Sequence, residues 1–277
     1  MGKFDFKRAQ QEAANDVKNT SLGLMVLGQS GAGKSTLAGT FGVKTLYLYT
    51  TGESHGAKAA STLGGDNISP VSINVENGTL LSADKAYDRL LSILDSVEEI
   101  KAEGFRALVI DGATEIEILI RETTRWKLAC QTDKGVHNPW NEGKATLAMF
   151  RPIVDKLKNL QRQLGVHFMM TCILDVTSVD DNGEIKESKP RLQTYSVAEG
   201  IIQQFEDIVV VGRMTNGDKV GHRCQFLAGV SRESKDGAGN VRKSINFSPR
   251  LSGVTLDKLP QTTKADVQEL IKLKKGA

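Results

Sequence analysis

Short apolar runs alternate with stretches of helical periodicity along most of the chain. Runs of strand character fall at 22–27, 45–50, 71–75, 106–111, 166–172 and 207–212. Between them, apolar residues recur at helical spacing over 34–42, 83–103, 113–129, 142–164 and 197–205, as at Ala86, Leu90, Leu91, Leu94 and Val97. Strand and helix in alternation predict βαβ units, hence a mainly parallel twisted sheet flanked by helices. After residue 173 the pattern changes. Asp180-Asp181-Asn182-Gly183 and Thr215-Asn216-Gly217-Asp218 are turn signals between extended segments, so two C-terminal hairpins are expected. The glycine-rich, charged stretch 231–243 reads as a loop, and 263–274 as a terminal helix with Thr263 as N-cap. Residues 1–20 read as a polar arm and short helix, 21–230 as the core, and 231–277 as a charged loop with the last helix.

Composition constrains the class without naming a function. A chain of 277 residues with 39% hydrophobic and 25% charged residues can bury a full core. A net charge of +3 neither requires nor excludes a nucleic-acid partner, because a local basic groove needs no global excess. Cys130, Cys172 and Cys224 are odd in number and lack metal-ligand spacing, so reduced thiols in a cytoplasmic protein are expected. The N-terminus has no apolar signal segment and, with Phe6 where Ser or Thr is expected, is a poor myristoylation match. No run reaches the length of a membrane span.

The chemistry concentrates at the end of the first apolar run. Gly28-Gln29-Ser30-Gly31-Ala32-Gly33-Lys34-Ser35-Thr36 contains G-x-x-x-x-G-K-[ST] between a predicted strand and a predicted helix. A glycine-rich turn there leaves backbone N–H groups free to face phosphate oxygens. The following helix adds the positive end of its dipole. Lys34 is placed to reach the β- and γ-phosphates of ATP, and Ser35 to ligate Mg²⁺. Ala107-Leu108-Val109-Ile110-Asp111 delivers a second Mg²⁺ group, Asp111, to the C-terminal edge of a buried strand, where ligands bind in open α/β sheets. Glu53, three residues after the run 45–50, would emerge on the same edge as the general base. Glu115 and Glu117 read as a helix face. Thr171, in Met170-Thr171-Cys172, is a candidate γ-phosphate sensor at the tip of the strand beside the phosphate-loop strand, or a strand-end threonine with a routine hydrogen bond.

In this order Gly28–Ser35, Glu53, Asp111 and Thr171 resemble the RecA-like branch of P-loop ATPases, most of all its compact phage-encoded members, among them single-strand annealing recombinases. The resemblance covers about residues 20–230 and departs at Thr171, where the family often has an amide. It implies ATP and Mg²⁺ as cofactors, slow DNA-stimulated hydrolysis, single-stranded DNA as partner, and assembly into a filament or ring in the host cytoplasm. A single-strand binding protein is a further expected partner, and a membrane is not. The family's two DNA loops correspond here to 125–143 and 175–195. The first carries Arg125, Trp126, Lys127, Lys134 and Trp140, cations with aromatics as a single strand needs; core packing of Trp126 and stapling of a helix start by Trp140 is the competing reading. The second carries Lys189 and Arg191 among several carboxylates. Arg232 and Lys235 resemble basic residues that act on a neighbour's γ-phosphate, or are a solvated charged loop. Phe6 and Ala9 match an F-x-x-A tether that docks onto the next subunit. Other functions compatible with the same core are a helicase-like or packaging motor and a nucleotide-gated assembly protein with little turnover; a small-molecule kinase would need an arginine-bearing lid that the sequence lacks.

Overall fold

The computed structural model describes residues 21–179, 185–192, 200–202, 204–205, 207–216, 219–227, 231–235, 241–245, 261–262 and 265–276, with positions 5 and 7. Its centre is β1 (Gly23–Gly28), buried at every position. Parallel partners flank it: β7 (His167–Val179) on one side and β9 (Asp207–Asn216) on the other. The sheet continues from β7 through β6 (Ala107–Asp111) and β2 (Thr45–Tyr49) to β3 (Ile68–Ser72), all parallel. Beyond β9 it continues through antiparallel β10 (Lys219–Leu227) to β13 (Gln261–Thr262). The strand bearing Thr171 therefore lies beside the phosphate-loop strand, as the sequence implied, and its other neighbour is the strand bearing Asp111.

Strand alternation sends successive residues to opposite faces, and each face has its own cover. Met25, Leu27, Leu46, Leu48, Leu108, Ile110, Phe168 and Met170 pack under one set of helices. That set comprises α3 (Ala83–Asp95), α4 (Val97–Ala102), α5 (Ala113–Glu122), α6 (Thr124–Ala129) and α7 (Pro139–Leu164). Leu24, Val26, Tyr47, Val109, Met169 and Val209 face α1 (Lys34–Ala38), α2 (Ser54–Gly64) and α8 (Val267–Gly276). α8 is tied directly to the end of the phosphate-loop helix: the Val267 N–H donates to Thr40 Oγ1 at 2.7 Å, and the Gln268 amide donates to the Phe41 carbonyl. Asp266, directly before α8, accepts from the Gln268 N–H at 2.9 Å; Thr263, the expected N-cap, lies outside the described residues.

Several boundaries differ from the sequence reading. The expected helix 83–103 breaks at Ser96 into α3 and α4. The expected helix 113–129 breaks at Thr123, whose hydroxyl caps α6 by accepting from the Trp126 N–H at 3.1 Å. β3 is displaced three residues toward the N-terminus and includes Pro70, which an edge strand tolerates because one row of its backbone groups needs no partner. The stretch 231–243 is not irregular throughout. β11 (Ser231–Lys235) pairs antiparallel with β12 (Val241–Ile245), and the glycines fall between them. The first C-terminal hairpin is present as β7 with β8 (Ile185–Pro190), and the second as β9 with β10. Two short strands, β4 (Val75–Glu76) and β5 (Thr79–Leu80), form a separate hairpin after β3. Among the described residues no helix is long and apolar enough to cross a membrane.

Candidate functional site

The turn from β1 into α1 is built on left-handed glycines. Gly33 has φ 98° and directly precedes the first residue of α1, a conformation that would strain any other residue. Gln29, Ser30 and Gly31 are exposed, Ala32 is buried beneath them, and the Ala32 N–H donates to the Gln29 carbonyl at 3.1 Å. Lys34 folds back over the turn, its Nζ donating to the carbonyls of Gly28 and Gln29, each at 3.0 Å. Burial pushes the Lys34 ammonium below its ordinary pKa, and the nearby carboxylates of Asp111 and Glu53 oppose that shift. Thr36 is half-buried on α1.

Asp111 is 1% exposed and lies at the C-terminal end of β6. Three hydroxyls from three separate elements converge on its carboxylate. Ser35 Oγ donates to Oδ2 at 2.8 Å, and the Tyr47 hydroxyl of β2 donates to the same oxygen. Thr171 Oγ1 of β7 donates to Oδ1 at 2.5 Å while accepting from the Gly112 N–H at 2.9 Å. Thr171 thus holds Asp111 in place, with both sides of its hydroxyl engaged inside the protein. The first turn of α2 closes over the same point: a Cβ added at Gly56 would lie 2.3 Å from Asp111 Oδ2 and 2.7 Å from Ser35 Oγ. Only glycine allows that approach.

Glu53 forms the end of a single 3₁₀ turn, Thr51–Glu53, that leads into α2. Its Cγ and the Cβ of Glu115 flank Gly112, at 3.1 Å and 3.2 Å from where a side chain there would begin. Partial burial, then Asp111 and Glu115, push the Glu53 carboxyl up to about 7, with Lys34 pulling the other way. A carboxylate poised there exchanges protons readily near neutral pH.

These groups fit a nucleoside triphosphate with Mg²⁺. The loop offers an exposed glycine-rich turn and a lysine, and the Ser35–Asp111 pair is a hard oxygen donor set. Mg²⁺ usually takes one or two carboxylates and completes its shell with phosphate and water. Among the described residues no cluster of three or more His, Cys, Asp or Glu side chains exists that would form an all-protein cage.

Tyr47, Gly56 and Glu115 belong to this edge without having been anticipated as site residues. Tyr47 carried a readable signal, since a tyrosine in an otherwise apolar buried strand must find a partner for its hydroxyl. Glu115 is not merely a helix face: it stands in the first turn of α5, beside Glu53. His55 is exposed on α2.

The expected DNA-contacting residues are distributed differently. Trp126 is 6% exposed, donates its Nε1–H to Thr146 Oγ1 at 2.9 Å, and packs in the core. Its indole, covered by helices α6 and α7 and by the Arg121 guanidinium 5.5 Å away, is not a stacking surface, which corrects that assignment. Trp140 is 89% exposed in the first turn of α7, after Asn138, which caps that helix by accepting from the Trp140 N–H. Between them the chain makes a tight loop, with Gln131 bridging to His137 and the Asn138 N–H donating to the Cys130 carbonyl at 2.7 Å. Lys127 and Lys134 are exposed, and Arg125 is exposed while paired with Asp88 at 2.8 Å. Arg191 pairs with Asp175 through two guanidinium nitrogens, and the backbone of Lys189 lies opposite Asp175 in β8. Arg232 and Lys235 belong to β11. Phe6 and Ala9 lie outside the described residues.

The sequence model of a family described as "AAA domain" matches residues 20–236. No curated protein matches the chain by sequence. Among solved structures, a KaiC-like protein from the archaeon Pyrococcus horikoshii OT3 is similar at 14% identity, with a TM-score of 0.41, over 82% of this chain and 87% of that one. The family match spans the phosphate loop, Glu53, Asp111 and Thr171, and the chain accordingly belongs to the AAA domain family, as a P-loop ATPase with an α/β core.

Proposed function

We propose that the chain is an ATP-dependent DNA-binding protein of phage-recombination type, in which ATP binding and hydrolysis control assembly and the grip on single-stranded DNA. The observation that carries the ATPase half is the convergence of Ser35, Tyr47 and Thr171 on Asp111 at the mouth of the phosphate loop, with Glu53 beside it. In this reading the N–H groups of Gly33 to Ser35 cradle phosphate oxygens, and Lys34 exchanges the carbonyls of Gly28 and Gln29 for the β- and γ-phosphates. Ser35 and Asp111 hold Mg²⁺, which when bound neutralises charge on the β- and γ-oxygens. Glu53 orients the attacking water and takes its proton, at a pKa suited to giving that proton back near neutral pH.

The DNA half rests on the connection that runs from α6 into the first turn of α7. An exposed indole at Trp140 stands with the cations Lys127, Lys134 and Arg125 in the same connection, which suits base stacking plus phosphate neutralisation. Lys189 and Arg191 supply cations at the base of the β7–β8 hairpin. Arg232 or Lys235 of a neighbouring copy would complete the nucleotide site in an assembly tethered through Phe6 and Ala9, with a single-strand binding protein as a further partner. ATPase assays with and without single-stranded DNA test the proposal. Hydrolysis that rises with added single strand is expected; the absence of both DNA binding and stimulation would sink the DNA half and leave the nucleotide half to stand separately.

A further inference from the structure

We propose that Tyr47 is a positioning residue for Mg²⁺, acting through Asp111. The inference rests on the ATP–Mg²⁺ reading of the site. Tyr47 is 0% exposed in the middle of β2, on the face covered by α1, α2 and α8. Strand β2 pairs in register with β6, Tyr49 opposite Asp111, so Tyr47 lies two residues back on the neighbouring strand. From there its hydroxyl donates to Asp111 Oδ2, the oxygen that also accepts from Ser35. An ionised carboxylate only accepts hydrogen bonds, so the Tyr47 phenol is the donor of the pair.

This division of donors has a consequence when metal binds. A Ser35 hydroxyl that ligated Mg²⁺ would use a lone pair and keep its proton for Oδ2, so its orientation would answer to the ion and the carboxylate together. Tyr47 has no such second task. Its donation to Oδ2, with Thr171 on Oδ1 at 2.5 Å, holds the carboxylate in one orientation independently of the ion. The first turn of α2 also lies close against Oδ2, where a Cβ at Gly56 would fall 2.3 Å from it. Groups that orient a metal ligand from behind set metal affinity by about 10–100-fold when removed.

The test is a titration of Mg²⁺ against a fluorescent ATP analogue on wild-type protein and Tyr47→Phe, which preserves the ring and removes only the hydroxyl. The expected result is a Mg²⁺ midpoint raised by about 10-fold or more in Tyr47→Phe, with analogue binding in excess EDTA unchanged. A midpoint equal to or below that of the wild type overturns the role. A wild type whose analogue binding ignores Mg²⁺ would instead refute the underlying site reading, so the two failures are distinguishable. Should Tyr47→Phe fail to fold, the wild type can be labelled with 3-fluorotyrosine, since only Tyr49, Tyr87 and Tyr195 compete for assignment. The Tyr47 fluorine resonance is then expected to move when Mg²⁺ is added to ATP-loaded protein; a resonance indifferent to Mg²⁺ would equally overturn the inference.

Discussion

The nucleotide edge and the connection before α7 stand in contrast. At the edge, polar groups are buried and each constrains the next: Ser35, Tyr47 and Thr171 all answer to one carboxylate, and Gly56 is there because that carboxylate leaves no space. In the connection, residues of similar type diverge. Trp126 is a core residue and Trp140 is almost bare, although they stand in one short segment and both follow polar caps. A buried polar network must be complete, because an orphaned group costs about 1–3 kcal/mol. An exposed indole has no such requirement, and its presence must be explained by what it meets.

The two tryptophans give the broadest way to sharpen the contrast. Trp126→Ala removes a packed indole and its bond to Thr146, and is expected to cost about 3–5 kcal/mol of stability, read by chemical denaturation. At the nucleotide edge, Lys34→Ala is expected to weaken ATP binding by about 1.5–3 kcal/mol, the scale of hydrogen bonds to charged groups, with the fold intact by circular dichroism. Isothermal titration measures that loss, and undiminished affinity would remove the lysine from the site. Trp140→Ala carries the smallest expected effect. It should leave stability and ATP affinity unchanged while weakening single-stranded DNA binding by about 1–3 kcal/mol, the worth of one stacked base. Equal DNA affinity in anisotropy would return Trp140 to the ordinary surface.

The same contrast explains what could be read in the sequence. The phosphate loop and the Asp111 strand were legible because a glycine pattern and a run of four apolar residues before a carboxylate have few other uses at that spacing. Helix α2 was not, because Ser54–Gly64 buries only Ala57 and Ala60 and so shows no apolar stripe. Its position matters all the same, since it carries Gly56 to Asp111. Thr171 was placed on the right strand, but its hydroxyl turns to Asp111 through a contact sixty residues away in sequence, which no local pattern encodes. Trp126 and Trp140 could not be told apart because the break at Thr123, which starts α6 as a separate helix, comes from a capping hydroxyl and not from periodicity.

Glu53→Gln tests the central claim most directly, with ATP binding and single-turnover hydrolysis measured on the same preparation. Binding is expected to persist while turnover falls by about 10²–10⁴-fold, the usual worth of a positioned base. The wild-type rate should fall as pH drops below about 7, where Glu53 takes up its proton. The folded protein also holds that proton where the unfolded chain has released it. Glu53 therefore makes wild-type stability decline as pH rises from its ordinary carboxyl range through about 7, a decline the glutamine variant lacks. Glu53→Gln that hydrolyses ATP at the wild-type rate would contradict the account and move the base elsewhere on the edge, with Glu115 the next carboxylate to examine.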